Sequence, residues 1–381
     1  MKDIINRLDR IDWDFPQAGT APGSIHKFHW FPGNFIPQIP AALIEILSSP
    51  GDVVLDPFGG SGTTSIEAAL LGRRSLYSDR ISASVFLAKA KSAALSHGLT
   101  SETRDRVLEA ITFDHTCLSE AVGINGEGGD TLLSLWYAPR TLAQLRYLWA
   151  IIERETAEQR LILLLVFSDL LFACASTGGS LTATGKKRRH HWGWVADNVI
   201  PKQLIEHNAI AEFRSRLIVL GHLKAMAFDE PTFLQNDARA LPICAESVDL
   251  VVTSPPYIGV IDYVRANRMM YMWMGWPFDM ERAEEIGARY KRKRLMAARQ
   301  YLDEMKACWN EIYRVLRPNG HLAIVIGESR AFPGIFKSTL KDISELMPIV
   351  WGPRERMPTR RRVADRADRD PHEVVLVAAK L

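Results

Sequence analysis

The sequence predicts an α/β protein with a mostly parallel sheet and a largely helical insertion. Three observations predict it. Between residues 51 and 98 short apolar runs alternate with helical stretches, the pattern of parallel strands joined by crossover helices. From 116 to 230 the alternation stops and the chain reads as mostly helical. From about 232 strands and helices alternate again.

Taken in order, residues 1–24 read as an N-terminal arm closing on the Gly/Pro-rich QAGTAPGS, and PQIPAALIEILS (37–48) reads as a helix. Gly51-Asp52 opens the short strand VVLD, and PFGGSGTTSIEAALLGRR follows as a glycine turn running into a helix. SLYSD (75–79) is a second strand and ISASVFLAKAKSAALSHG a second helix. In the insertion, LWYAPRTLAQLRYLWAIIERETAEQRLILLLVFSDLLFACAS is mostly helical, and SLTATGKKRRHHWGWVADN is polar, basic and aromatic. TFLQNDARALP and ESVDLVVTSPPY resume the strands. A helix over 297–316 stops at RPNG, HLAIVIG is the next strand and EVVLVAAKL the last. The domain reading is therefore an arm (1–24), a core in two parts (25–115 and 231–381) and an insertion (116–230), with no internal repeat.

Composition excludes several classes. With 47% hydrophobic and 24% charged residues the chain is of ordinary globular make-up, and a net charge of +3 permits nucleic-acid binding without demanding it. Cys117, Cys174, Cys244 and Cys308 lie far apart without a CxxC or Cys/His cluster, which argues against a metal site or disulfide framework and suits a reducing cytoplasm. The first residues, MKDIINRLDRIDWDF, do not form a signal peptide. Leu161 to Cys174 is too short to cross a bilayer, so no membrane partner is expected.

Two motifs sit where chemistry is expected in an open α/β sheet, at the carboxyl ends of strands. DPFGGSGTT (56–64) lies on a strand–turn–helix, where glycines let the backbone approach a ligand and adopt positive φ. Asp56 can accept from a ligand ammonium or from water. Asp79 ends the next strand, where a carboxylate can hold two ribose hydroxyls. The turn matches neither GxGxxG nor GxxxxGK[ST]; the alternative is a tight turn with a solvated Asp. TSPPY (253–257) follows the apolar run VDLVV, and its prolines stiffen the strand exit. The alternative there is a proline-rich exit with a packed tyrosine.

Together the two motifs resemble those of the S-adenosylmethionine-dependent amino-methyltransferases of DNA, which act on cytosine N4 or adenine N6. The resemblance covers about 22–95 and 232–381. It implies a Rossmann-like methyltransferase fold, S-adenosyl-L-methionine as cofactor and double-stranded DNA as substrate. HKFHWFPGNFIPQIPAALI (26–44) looks like the segment packed on the methionine end of the cofactor, giving His26 and Phe31 as contacts. The glycine motif adds Asp56, Phe58, Gly60, Ser61, Gly62 and Thr63. SLYSDR puts Asp79 at the ribose, and NDARALP puts Asp237 near the adenine. LRPNGHLAIVIG looks like the strand after the catalytic one. The family's order differs in one respect: the long insertion here lies between the second strand and NDARALP. Both it and 262–296 are candidates for reading DNA. Homodimer formation and a cognate restriction nuclease are partners left open.

Ser254, Pro255, Pro256 and Tyr257 have a physical rationale as catalytic residues. An exocyclic amino group is a poor nucleophile because its lone pair is delocalised into the ring. The Ser254 hydroxyl and the Pro255 carbonyl can each accept one of its N–H bonds, drawing the nitrogen towards sp³, and the prolines fix those acceptors in advance. Tyr257 can stack on a base turned out of the helix, worth ~1–3 kcal/mol. Neutral Ser254 can also donate towards cytosine N3, and Ser is the family's usual choice for cytosine N4, so N4 is favoured over adenine N6. No Pro-Cys dipeptide supplies the nucleophile of a cytosine-C5 enzyme.

KKRRHHWGW (186–194) interleaves cations with aromatics, which makes Lys186, Lys187, Arg188, Arg189, His190 and Trp192 candidate DNA contacts, with a solvated loop as the alternative. KRKR (291–294) reads as a charged helix face, and PRERMPTRRRVADRADRD mixes arginines with acids that can pair internally. The rival functions are amino methylation of RNA or protein, and a cofactor-binding scaffold without turnover.

Overall fold

A computed structural model describes residues 2–16, 24–33, 35–113, 130–176, 200–201, 203–329, 331–356 and 373–381. Seven strands form one sheet: β1 (Val53–Asp56), β2 (Arg74–Asp79), β3 (Thr232–Gln235), β4 (Val248–Thr253), β5 (Leu316–Gly327), β6 (Ile349–Arg356) and β7 (Glu373–Ala379), in the spatial order β3-β2-β1-β4-β5-β7-β6. All neighbouring pairs from β3 to β5 are parallel; β7 runs antiparallel to both β5 and β6. This is the Rossmann-like α/β arrangement that the sequence predicts.

The strands read as apolar runs because both faces of the sheet are covered. Val54, Leu250, Val252, Ala323, Val325, Val375 and Val377 point to one face, where they pack with Leu8, Leu43 and Ile44. Val251, Leu322, Ile324, Ile326 and Leu376 point to the other, against Trp309, Ile312 and Ile343. The helices in chain order are α1 (Lys2–Asp9), α2 (Gln38–Leu47), α3 (Thr63–Leu70), α4 (Ser82–Ser96), α5 (Ser101–Phe113), α6 (Asp130–Leu133), α7 (Pro139–Ile152), α8 (Ala157–Cys174), α9 (Ala209–Gly221), α10 (Tyr263–Ala266), α11 (Arg268–Met274), α12 (Phe278–Glu284), α13 (Ala297–Val315) and α14 (Ile335–Leu346).

The segment read as an arm carries α1. Leu8 and Trp13 are buried, the Trp13 ring lies 5.5 Å from that of Trp351, and the Trp351 indole donates to Asp9 at 2.9 Å. Helices α7, α8 and α9 of the insertion share a single apolar cluster with α4 and α5. Polar groups tie them further. His29, in the left-handed region at φ 57°, places Nδ1 3.0 Å from Ser168 Oγ, and burial pushes its pKa down to about 4, so the ring is neutral. No described helix is long and apolar enough to cross a membrane.

The sequence reading gave no element for α5, α10 to α12 and α14, and two strands differ from it. RPNG ends α13 but already belongs to β5, which starts at Leu316. Strand β6, IVWGPRER, escapes the sequence because Gly, Pro and three charged residues dilute its pattern; as an edge strand it tolerates them.

Trp309 is wholly buried between α13 and the sheet. Trp309→Ala is expected to lower stability by about 3–5 kcal/mol, read from urea unfolding of the purified chain. A midpoint within error of wild type would show that this face does not carry the fold.

Candidate functional site

The order of strands reverses between β1 and β4: β1 leads outward to β2 and β3, and the chain then returns to β4 on β1's other side. Ligands bind in the crevice that such a reversal opens at the carboxyl ends of the strands. The glycine motif leaves β1 there and TSPPY leaves β4. Thr253 Oγ1 donates to Asp56 Oδ1 at 2.6 Å and ties the two motifs directly.

A cleft with about 920 Å³ of empty space, part of it continuous with open solvent, lies at this point. Ten of the residues singled out in the sequence line it: Phe31, Asp56, Phe58, Gly60, Ser61, Thr63, Asp79, Asp237, Ser254 and Pro256. Four do not: His26, Gly62, Pro255 and Tyr257. His26 turns to Glu67 of α3, with Nε2 2.8 Å from Oε1. Lys186, Lys187, Arg188, Arg189, His190 and Trp192 lie outside the described residues.

Hydrogen bonds brace the glycine turn from the neighbouring strand and from within. Gly59 N donates to Ser78 O (2.9 Å), Gly60 N to Asp79 Oδ2 (2.9 Å) and Gly62 N to Gly59 O (2.9 Å), while the Tyr77 hydroxyl donates to Gly60 O (2.8 Å). Its glycines answer to different neighbours. A Cβ on Gly59 would meet the Tyr77 ring at 2.3 Å, and one on Gly62 (φ +87°) would meet Ala88 Cβ at 2.7 Å and Ala88 Cα at 2.9 Å. Gly62 is thus a packing residue between α3 and α4. Gly60 (φ +50°) faces the cleft, with Phe31 3.5 Å from where a Cβ would sit.

Asp56 and Asp79 are the electrostatic feature of the cleft. Asp56 Oδ1 accepts from Thr253 and from Phe58 N (3.1 Å); Asp79 accepts from Gly60 N and from Ile81 N (2.9 Å). Burial outweighs these bonds and pushes each carboxyl up to about 6. Among the described residues no cation pairs with either. Asp237 differs. Burial alone would raise its carboxyl, but Arg239, 2.9 Å from Oδ1 through Nε, holds it below the usual range.

TSPPY is anchored from behind. The Tyr301 hydroxyl donates to Pro256 O at 2.9 Å, and among the described residues no donor meets the Pro255 carbonyl. The Tyr257 hydroxyl lies 3.0 Å from Glu373 Oε1, 3.4 Å from Val325 O and 3.5 Å from Ser254 Oγ. Glu373 is paired with Arg356, both buried, and Arg356 Nε donates to Trp13 O at 3.0 Å. A tyrosine has one hydroxyl proton, and the charged, nearest acceptor takes it. Ser254 Oγ stands at the limit of hydrogen-bond distance from the same hydroxyl.

The sequence reading missed Tyr77, Tyr263, Glu285 and Glu373. Tyr263 lines the cleft and stacks on Phe31, with centroids 5.7 Å apart at 25°. Glu285 accepts from Tyr263 N (2.8 Å) and Val264 N (3.0 Å), fixing the start of α10, and burial pushes its carboxyl up to about 8. Tyr77 had a signal, two residues before Asp79 on one strand. Glu285 and Glu373 had none, since their roles arise from contacts distant in the chain.

Comparison with known proteins follows the same two segments. Residues 9–90 and 248–380 match the DNA methylase family N6_N4_Mtase. The Type II methyltransferase M.MjaII of Methanocaldococcus jannaschii is 21% identical over 84% of this chain and 76% of that protein. The Type II methyltransferase M.BsoBI of Geobacillus stearothermophilus is 25% identical over 66% of this chain and about half (53%) of that protein. Among solved structures, the rRNA methyltransferase aviRa from Streptomyces viridochromogenes is 13% identical and covers 98% of this chain and 95% of its own, at a TM-score of 0.35.

The glycines separate two outcomes. Gly62→Ala should lower stability by about 1–3 kcal/mol, because a β-carbon collides with the α4 backbone, yet leave ligand affinity of the folded protein nearly unchanged. Gly60→Asn, which tolerates the left-handed backbone at φ +50°, should leave the melting temperature closer to wild type and cut binding of S-adenosylmethionine. Calorimetry and thermal melts of both variants check this; the reverse pattern would exchange their roles.

Proposed function

This chain belongs to the DNA methylase family N6_N4_Mtase, and from that premise we propose that it methylates cytosine N4 of a base turned out of a DNA duplex. The observation that carries the reading is the shared cleft: Asp56, Gly60 and Asp79 of the turn and Ser254 and Pro256 of TSPPY line one cavity. S-adenosylmethionine, when bound, supplies a methyl group on a sulfonium that needs no further activation. The residues suit it. Two buried carboxylates that pair with no cation among the described residues match a ligand bearing ammonium and sulfonium charges. Asp79 keeps lone pairs for ribose hydroxyls beyond its two backbone bonds, Phe31 and Tyr263 offer a stacked apolar wall, and Asp237 lies across the cleft.

On the base side, the Tyr257–Glu373 bond orients Ser254. With its proton directed to Tyr257, Ser254 presents lone pairs to an amino N–H, and the unpartnered Pro255 carbonyl takes the second. Both acceptors draw the amino nitrogen towards sp³ and aim its lone pair at the methyl. Their prior fixation by the prolines, Tyr301 and Tyr257 is the catalytic contribution of the chain. In this arrangement Ser254 acts as acceptor rather than as donor to a ring nitrogen, so the preference for cytosine N4 rests on Ser in the first motif position. A cognate nuclease fits the Type II naming of the relatives.

The carboxyls give a pH signature. In the cofactor-free protein Asp56 and Asp79 protonate as pH falls through about 6, and a cationic ligand favours their charged forms. Cofactor affinity should therefore fall between pH 8 and pH 5, by about tenfold per unit for each proton released on binding, and level off above pH 7. The stability of the free protein runs the other way. A carboxyl raised in the folded state stabilises the fold at low pH, and that contribution disappears as pH rises through about 6. Asp56→Asn and Asp79→Asn should weaken binding and flatten both profiles; titration calorimetry with S-adenosylmethionine reads the first. A pH-independent wild-type affinity would remove the carboxylates from the site.

Ser254→Ala should lower kcat by about 10²-fold or more and leave cofactor affinity within about twofold, because its bond strengthens as the amino group attacks. Mass spectrometry of nucleosides from treated DNA decides the base. N6-methyladenine alone would overturn the cytosine assignment and keep the mechanism.

A further inference from the structure

The segment 285–296 is locked to the loop that leaves TSPPY. Gly259 N donates to Gly287 O (2.7 Å), Arg289 N to Ile261 O (3.1 Å) and Tyr290 N to Asp262 Oδ1 (2.9 Å). Glycines permit the approach. A Cβ on Gly259 (φ +71°) would lie 3.0 Å from Phe332 and 3.3 Å from Arg292 Cβ, and one on Gly287 (φ +64°) 3.2 Å from Ile258 Cα. Lys291 turns inward and donates to Glu285 O at 2.5 Å. The Tyr290 ring holds the guanidinium carbons of Arg282 at 4.1 Å and Arg294 at 5.5 Å from its centroid.

From this rigid base, Arg292, Lys293, Arg294, Leu295 and Met296 project as five consecutive exposed residues. Leu295 is 98% exposed and Met296 60%. Between Ile286 and Leu302 the sequence has six Lys or Arg and no acid. Arg292 stands beside Gly259, two residues beyond Tyr257, and three further residues reach at most about 11 Å. An apolar tip in a cationic collar thus stands beside the acceptors for the base.

We propose that this tip is the wedge that occupies the gap in the DNA stack when the target base turns out. Leu295, backed by Met296, enters between the neighbouring pairs, and Arg292, Lys293 and Arg294 hold the flanking phosphates. Apolar side chains inserted between base steps are a general means of holding DNA unstacked, and the phosphate field supplies the matching charge. A second copy of this chain is a poor occupant, because a two-fold contact would set like charges against one another. The inference rests on the DNA-methylating reading above.

The test uses the full chain with S-adenosylmethionine and a duplex carrying its methylated sequence, found by sequencing treated DNA. Leu295→Ala should melt like wild type, since the side chain touches almost nothing. It should lose about tenfold or more in kcat/KM on the paired duplex, and recover to within about twofold of wild type on a duplex whose target base faces an abasic site. Replacing Arg292, Lys293 and Arg294 by Ala should instead weaken binding to both duplexes and reduce the salt slope by ~0.9 per lost contact. Equal losses of Leu295→Ala on the two duplexes, or none, would overturn the wedge. So would a change from dimer to monomer in sedimentation with the rate intact. A wild-type protein that methylates no duplex overturns the functional reading, and this inference with it.

Discussion

Two carboxylates stand at the carboxyl ends of adjacent strands, Asp56 on β1 and Asp79 on β2, buried and, among the described residues, without a cation paired to them. Much of the surrounding structure exists to hold them there. Backbone N–H groups of Phe58, Gly60 and Ile81 and the hydroxyl of Thr253 are directed at their oxygens. The bonds lower the cost of burial without removing it. In the proposed reading a cationic ligand offsets the remaining cost.

Much of the sheet was legible because its central strands are buried on both faces and so read as apolar runs; β1, β4, β7 and the HLAIVIG part of β5 stand out for that reason. β6 did not, since an edge strand keeps its pairing with a Gly, a Pro and three charges in eight residues. The helical character of the insertion was also plain. That α7, α8 and α9 join α4 in one apolar cluster was not, because which faces meet is decided by tertiary packing.

In the site, residue types were easier to read than roles. Gly60 and Gly62 look alike in the sequence, yet one borders the cleft and the other yields to Ala88. His26 belongs to the expected segment but turns to Glu67. Tyr257 was assigned a ring to stack, whereas its hydroxyl proves as telling, since it is bound to a carboxylate 116 residues further on. KRKR looked like a uniform charged face, but Lys291 is buried and its neighbours are not. These distinctions depend on orientation, and a linear pattern carries none.

Strand β7 slots between β5 and β6 and brings Glu373 behind TSPPY. Both sequence motifs are therefore present in a chain that has assembled only its first five strands, yet Tyr257 has no carboxylate to bond and Ser254 no fixed orientation. The reactive geometry has no local rehearsal. Tyr257 and the carboxylate that its hydroxyl meets stand 116 residues apart in the chain, and only the pairing of β7 with β5 brings them together. The contact behind TSPPY is thus a property of the closed sheet and of neither motif alone.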